Sequence, residues 1–183
     1  MTPTPTAICF EAKPYEIGNW TVLRLPKEAS DKLPSRGMTL VNGEINNFRS
    51  KIVLEPDGKG SHWFRIDNAL GKGAGIKAGD TVAMAMEPSK DWPEPEVPTD
   101  IRMALDADAQ ANSLWTQITP MARWDWIRWI RSTNNQETRQ HRIDVTCDKL
   151  RKGMRRPCCF NRNTCTEPYV SKGWMLIDPE QAT

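Results

Sequence analysis

The chain is poor in the side chains that usually move protons: it has two His and two Tyr in 183 residues. Any histidine acting as general acid or base must be His62 or His141. Long apolar runs are also missing. Stretches such as Val82 to Met86 last a few residues, whereas a membrane-spanning helix needs about 20. No charged n-region followed by an apolar segment opens the sequence, so no secretory leader is expected and a cytoplasmic location is. Cysteine is present but odd in number, at five, which argues against a secreted disulfide framework. What remains is 38% hydrophobic and 26% charged residues, a globular balance, with eight Trp and 14 Pro as the unusual counts.

Net charge is low because two halves cancel. Residues 1–120 hold 13 Lys/Arg and 16 Asp/Glu, net −3, while residues 121–183 hold 12 and 7, net +5. Basic character is thus confined to the last third. Such asymmetry hints at a charged partner, set against the plainer reading of a solvated helical face.

Organisation follows from local patterns. The Thr-Pro alternation of residues 1–7 predicts a loose tail. From Ile8 to about Pro88 the pattern is one of short strands: Trp20–Leu25, Met38–Ile45, Phe48–Glu55, His62–Asp67 and Thr81–Glu87. Asn46-Asn47 reads as a tight hairpin turn, because Asn tolerates positive φ, and Pro56-Asp57-Gly58 as another. About six short strands at close spacing predict a small closed β-barrel. Pro88, Pro93, Pro95 and Pro98 make residues 89–98 a linker without regular structure.

Residues 99–153 then change to helical period. Helices are expected from Thr99-Asp100, over Asp108–Ile118, from Thr119-Pro120 to Ser132, and from Asn134-Asn135 to a stop at Gly153. In the third of these, a rotation of about 100° per residue puts Ala122, Trp126, Trp129 and Ile130 on one face. Trp124 falls elsewhere, beside Arg128 and Arg131. In the fourth, Ile143, Cys147 and Leu150 form the buried stripe. Residues 154–183 form an irregular segment rich in Cys and Arg. The fold class is therefore α+β: barrel, helical module, irregular tail packed back.

Several residues suggest chemistry and each has a plainer reading. Cys158, Cys159 and Cys165 are metal candidates, yet they contain no Cys-x-x-Cys pair, and structural zinc takes four ligands, commonly in two close pairs. Arg155, Arg156 and Arg162 would stabilise a thiolate at Cys158 or Cys159, and simple burial is the alternative. Gly71-Lys72-Gly73-Ala74-Gly75 lacks the Lys-Ser/Thr ending of a phosphate loop and reads as a helix stop. His62 shares strand parity with Phe64 and Ile66, the pattern of a hydrogen-bonded interior residue. Trp124, Arg128, Arg131, Arg139, Arg142, Arg155 and Arg156 are the interaction candidates. An aromatic among arginines suits single-stranded nucleic acid or an acidic partner, and burial of Trp124 by tail or domain is the plainer reading. No catalytic, cofactor-binding or firm metal residue is assigned.

Trp20–Pro26, Met38–Asn47, Gly79-Asp80-Thr81-Val82, Val97–Asp100 with Ala104-Leu105, Trp129-Ile130 and Glu137–Ile143 occur in an order that resembles a bacterial family of unknown function. That family joins a small N-terminal β-barrel domain to the helical domain of the YdeI or OmpD-associated, bacteriocin-protection proteins. The resemblance covers roughly Ile8 to Gly153 and implies a role in envelope stress or antimicrobial-peptide tolerance. It implies no reaction, cofactor or active site. The expected function is accordingly non-enzymatic binding or stress protection, with an unidentified protein or small ligand as partner and self-association open. Nucleic-acid binding through the Arg-rich last third, and a thiol-redox or zinc site at the clustered cysteines, are the alternatives.

Overall fold

A computed structural model describes residues 7–133, 135–157, 169–170 and 175–181. Seven strands form one sheet: β1 Ile8–Ala12, β2 Tyr15–Ile17, β3 Trp20–Arg24, β4 Thr39–Ile45, β5 Phe48–Pro56, β6 His62–Ile66 and β7 Val82–Pro88. Their order is β1-β7-β4-β5-β6-β3-β2, antiparallel throughout. Nine-residue β5 links the two halves, pairing with β4 over Phe48–Leu54 and with β6 at Glu55 and Pro56. Strands β1 and β2 stand at opposite ends of this order, although only Lys13 and Pro14 separate them. The sheet must therefore curl to bring its ends together.

That curl does not close. The expected closed barrel of six strands is corrected to an open half-barrel of seven. Pro14 has no N–H to give to a ladder, and its carbonyl is taken by the Gly79 N–H at 2.8 Å. The seventh strand, Tyr15–Ile17, lies between Pro14 and Gly18 and is too short to show an alternation. Strand β4 shows the two-sided logic clearly: Val41, Gly43 and Ile45 face inward, while Asn42 and Glu44 face outward. Inside the curl pack Leu23, Val41, Ile45, Leu54, Phe64, Met84 and Met86, all at most 2% exposed. Each such side chain contributes about 1.5–3 kcal/mol. Asn46 and Asn47 take φ of 48° and 65° in the β4–β5 turn, as their sequence predicts.

Two short helices belong to this unit. Helix α1 spans Lys27–Ser30, and α2 spans Asn68–Gly73 with the Asp67 carboxylate accepting from Leu70 N–H. Gly73 of α2 serves packing: a Cβ there would run into the Phe48 ring. Residues 175–181 group with the barrel by their contacts, ending in a 3-10 turn at Pro179–Gln181.

The second unit, residues 92–173, holds four helices among its described residues: α3 Thr99–Asp106, α4 Ala109–Gln117, α5 Pro120–Arg131 and α6 Gln136–Arg151. Three have side-chain caps: Asp108 accepts from Ala111 N–H, Thr119 from Ala122 N–H and Asn135 from Thr138 N–H. Gly153, at φ 82°, follows the end of α6. The core is Ile101, Leu105, Trp115, Trp126, Ile127, Ile130, Ile143, Cys147 and Leu150. The α6 stripe is the one its spacing predicts. In α5 the buried face turns slightly: Ile127 is buried, and Trp129 is half-buried, with Arg142 lying over its ring at 5.6 Å. No helix among the described residues is long and apolar enough to cross a membrane.

Candidate functional site

The outer face of β1-β7-β4-β5 carries an open cleft. Register puts Cys9, Ala85, Glu44 and Arg49 in one row across four strands, and Glu87, Asn42 and Lys51 in the next. Strand β7 points only Ala83 and Ala85 outward along the middle, so the longer side chains of its neighbours stand as walls. The result is a cleft of about 600 Å³ whose lining includes Asn42, Glu44, Arg49, Lys51, Ala85 and Glu87. Arg49 Nε donates to Glu44 at 2.7 Å, and Lys51 Nζ donates to the Asp91 carbonyl at 3.0 Å. Glu87 and neighbouring Glu11 have no ion-pair partner among the described residues. The outer face thus keeps two uncompensated carboxylates, Glu87 in this cleft and Glu11 in the depression beside it.

A hydroxyl–imidazole pair lies inside the same unit. Ser30 Oγ is 2.7 Å from His62 Nδ1, and His62 Nε2 is 2.9 Å from the Gly37 carbonyl. A carbonyl can only accept, so Nε2 carries the proton and Nδ1 accepts from the Ser30 hydroxyl. Burial pushes the imidazole pKa down, with the Gly37 hydrogen bond opposing. Both residues are 0% exposed. The spacing is that of a nucleophile and base, but the pair is sealed and serves the packing around α1.

A third polar group sits at the β5–β6 turn. Asp57, 1% exposed, accepts from the Lys59 and Ser61 N–H groups at 2.7 and 2.9 Å, which fixes the turn. Arg24 Nε lies 3.4 Å from the other Asp57 oxygen. Arg24 also reaches Asp178 at 3.3 Å and the Leu176 carbonyl at 3.4 Å, and Lys59 donates to Asp178 at 2.9 Å. Among the described residues the Tyr15 hydroxyl and Arg24 Nε are buried without a hydrogen-bond partner. Burial raises the Tyr15 pKa, with Arg24 opposing and the carboxylates of Asp178 and Asp57 adding to the rise. Sequence reading missed this cluster. Only the Asp57-Gly58 turn was visible, and nothing local ties Asp178 to Arg24.

In the helical unit the interaction candidates separate. Arg142 is 5% exposed and donates to the Trp129 carbonyl at 2.8 Å and to Ser132 Oγ at 2.7 Å, closing the C-terminal end of α5. Arg139 grips Asp100 through two hydrogen bonds of 2.6 and 3.0 Å, which holds that carboxyl below the usual range. Arg123 donates at 2.9 Å to the carbonyls of Trp115, Thr116 and Ile118, closing α4, and pairs with Glu94. Trp124 is half-buried, and its indole N–H donates to the Pro93 carbonyl at 2.9 Å, so the Pro-rich linker engages it. Arg128 and Arg131 are half-buried and engaged. The Arg155 carbonyl accepts from Trp126 Nε1 at 3.1 Å. Arg156 lies 3.7 Å from Asp125, whose pKa is pushed up by burial against the pull of Arg156 and Arg128.

Cys158, Cys159 and Cys165 lie outside the described residues. Among the described residues no group of three or more His, Cys, Asp or Glu could hold a metal ion. Cys9 is an exposed free thiol and Cys147 a buried one, its pKa raised by burial. No curated protein matches this chain. Residues 6–86 match the domain of unknown function DUF1905, which covers the sheet unit, and residues 94–153 match the family described as bacteriocin-protection, YdeI or OmpD-associated, which covers the four helices. The chain is thus similar to a DUF1905 domain over its sheet unit and, following it, to a bacteriocin-protection, YdeI or OmpD-associated domain over its helices.

Proposed function

We propose that the chain is a non-enzymatic binding protein acting in stress protection, and that it holds basic ligands in the outer cleft of its half-barrel. The observation that carries this reading is the contrast between two sites. The Ser30–His62 pair, which has reactive spacing, is sealed in the interior. The cleft is open, has Ala85 on its floor and presents Glu87, and the depression beside it on the same face adds Ala83 and Glu11; neither carboxylate has an ion-pair partner among the described residues. Uncompensated carboxylates beside an apolar floor favour a ligand with ammonium or guanidinium groups on a slim body. The family description supports a protective role, since tolerance can be achieved by holding a toxic peptide without altering it. Free thiols at Cys9 and Cys147 fit a reducing, cytoplasmic setting.

The test uses hexalysine as probe and calorimetry as readout, beside survival of bacteria expressing the chain under a cationic pore-forming peptide. Ala85→Trp fills the floor from the outer face and leaves the core untouched. The proposal expects hexalysine affinity to fall at least tenfold in Ala85→Trp and about threefold in Glu87→Gln, with survival falling in parallel. Equal binding by the parent chain and Ala85→Trp would refute the cleft as the site.

A further inference from the structure

We propose that the polar cluster at the β5–β6 turn is a second binding site, built for a peptide with an apolar residue two positions before a carboxylate, and that residues 175–178 of this chain occupy it as a built-in competitor. The tail reproduces the expected ligand point by point. Leu176 is 0% exposed, and its N–H donates to the Asp57 carbonyl at 3.1 Å. Two residues on, the Asp178 carboxylate lies between Arg24 and Lys59. The turn is shaped for a chain passing over it: at Gly58, φ 74°, a Cβ would lie 2.5 Å from Met175 Cγ and 2.9 Å from Met175 Cα.

The tail is an incomplete ligand. Among the described residues the contacts of the Arg24 guanidinium, to Asp57, Leu176 and Asp178, are 3.3–3.4 Å long, whereas charge-assisted bonds run to about 2.7–2.9 Å. Among the described residues, Arg24 Nε has no hydrogen bond beyond its 3.4 Å ion contact with Asp57, and the Tyr15 hydroxyl, buried close by, has no hydrogen-bond partner. Buried donors are normally satisfied, so this pair marks bonding capacity that the tail leaves unused. The ion pair from Lys59 to Asp178 is exposed by 40% and 46% on its two sides. Pairs of that kind change affinity by about fivefold at most. A segment that seats its carboxylate deeper, against Arg24 and the Tyr15 hydroxyl, would displace the tail. Because the tail is part of the same chain, it lowers the apparent affinity of any outside ligand by the fraction of time it occupies the site.

The experiment measures calorimetric binding of acetyl-Leu-Ile-Asp-amide to the full chain and to two released forms, Asp178→Asn and Leu176→Ser/Asp178→Asn. Hydrogen exchange at residue 176 reports release, and the single variant serves if the double variant fails to fold. The expected result is binding at least tenfold tighter in a released form than in the parent chain. Acetyl-Leu-Ile-Asn-amide should bind at least tenfold more weakly, and Lys59→Gln added to a released form should cost about fivefold. No tightening on release, equal binding of the Asp and Asn peptides, or no effect of Lys59→Gln would each overturn the proposal. Inorganic phosphate binding as tightly as the peptide would overturn the peptide assignment. Hexalysine binding in the outer cleft is read separately, so failure of one site leaves the other standing or falling on its own.

Discussion

Replacing Arg142 by Leu tests whether an arginine proposed as a partner contact is instead a clamp within the helical unit. Arg142 is 5% exposed and gives two hydrogen bonds, 2.8 Å to the Trp129 carbonyl and 2.7 Å to Ser132 Oγ. Hydrogen bonds from a charged donor contribute about 1.5–3 kcal/mol each. Part of that is recovered, since the Ser132 hydroxyl still donates to the Trp129 carbonyl at 2.8 Å. Loss of the guanidinium over the Trp129 ring, at 5.6 Å, adds about 1 kcal/mol. Burying the leucine offsets a similar amount. The net expectation is destabilisation of about 3 kcal/mol, in a transition followed by tryptophan fluorescence and far-ultraviolet circular dichroism during guanidinium unfolding. Arg142→Lys keeps a donor but not the plane and should recover part of the loss. Arg139→Gln, which breaks a more exposed pair with Asp100, should cost about 1 kcal/mol. A Leu variant within about 0.5 kcal/mol of the parent, a change typical of neutral surface sites, would refute the clamp and return Arg142 to the nucleic-acid candidates.

Stability should fall as pH drops through about 6.5, the ordinary histidine value. Burial lowers the His62 pKa in the folded state, so the unfolded state binds more protons there as pH falls. His62→Gln should flatten this slope in urea unfolding between pH 7 and pH 5, and an unchanged slope would remove His62 as its cause. Gly73→Ala should destabilise the sheet unit by about 1–3 kcal/mol despite alanine's better helix propensity, because the added methyl runs into the Phe48 ring. Phe48→Leu in the same chain should restore most of that loss, and failure to do so would show the strain lies elsewhere.

Local signals were legible in the sequence wherever one residue's chemistry decides the backbone. Asn46-Asn47 gave the hairpin, Thr119-Pro120 the start of α5, and the spacing of Ile143, Cys147 and Leu150 the face of α6 that is buried. The order of family-like segments was visible for the same reason, since it depends on sequence alone. Closure was not legible, because it depends on whether strands far apart in order can pair, and Pro14 with the short β2 leaves that ladder unmade.

The outer cleft was not read from the sequence: Ala83 and Ala85 alternate with the buried Val82, Met84 and Met86 along β7, but only register sets them beside Glu11, Glu44 and Arg49. The arginines show the same divide. Sequence determined that positive charge gathers in the last third, as a matter of composition. Tertiary structure decided what Arg139 and Arg142 do with it, because a guanidinium bonds whatever acceptors packing brings within reach, here Asp100 and the end of α5. Arg24 and Asp178, 154 residues apart, are the clearest case. Nothing local connects them, and only the curled sheet and the returning tail bring their charges together.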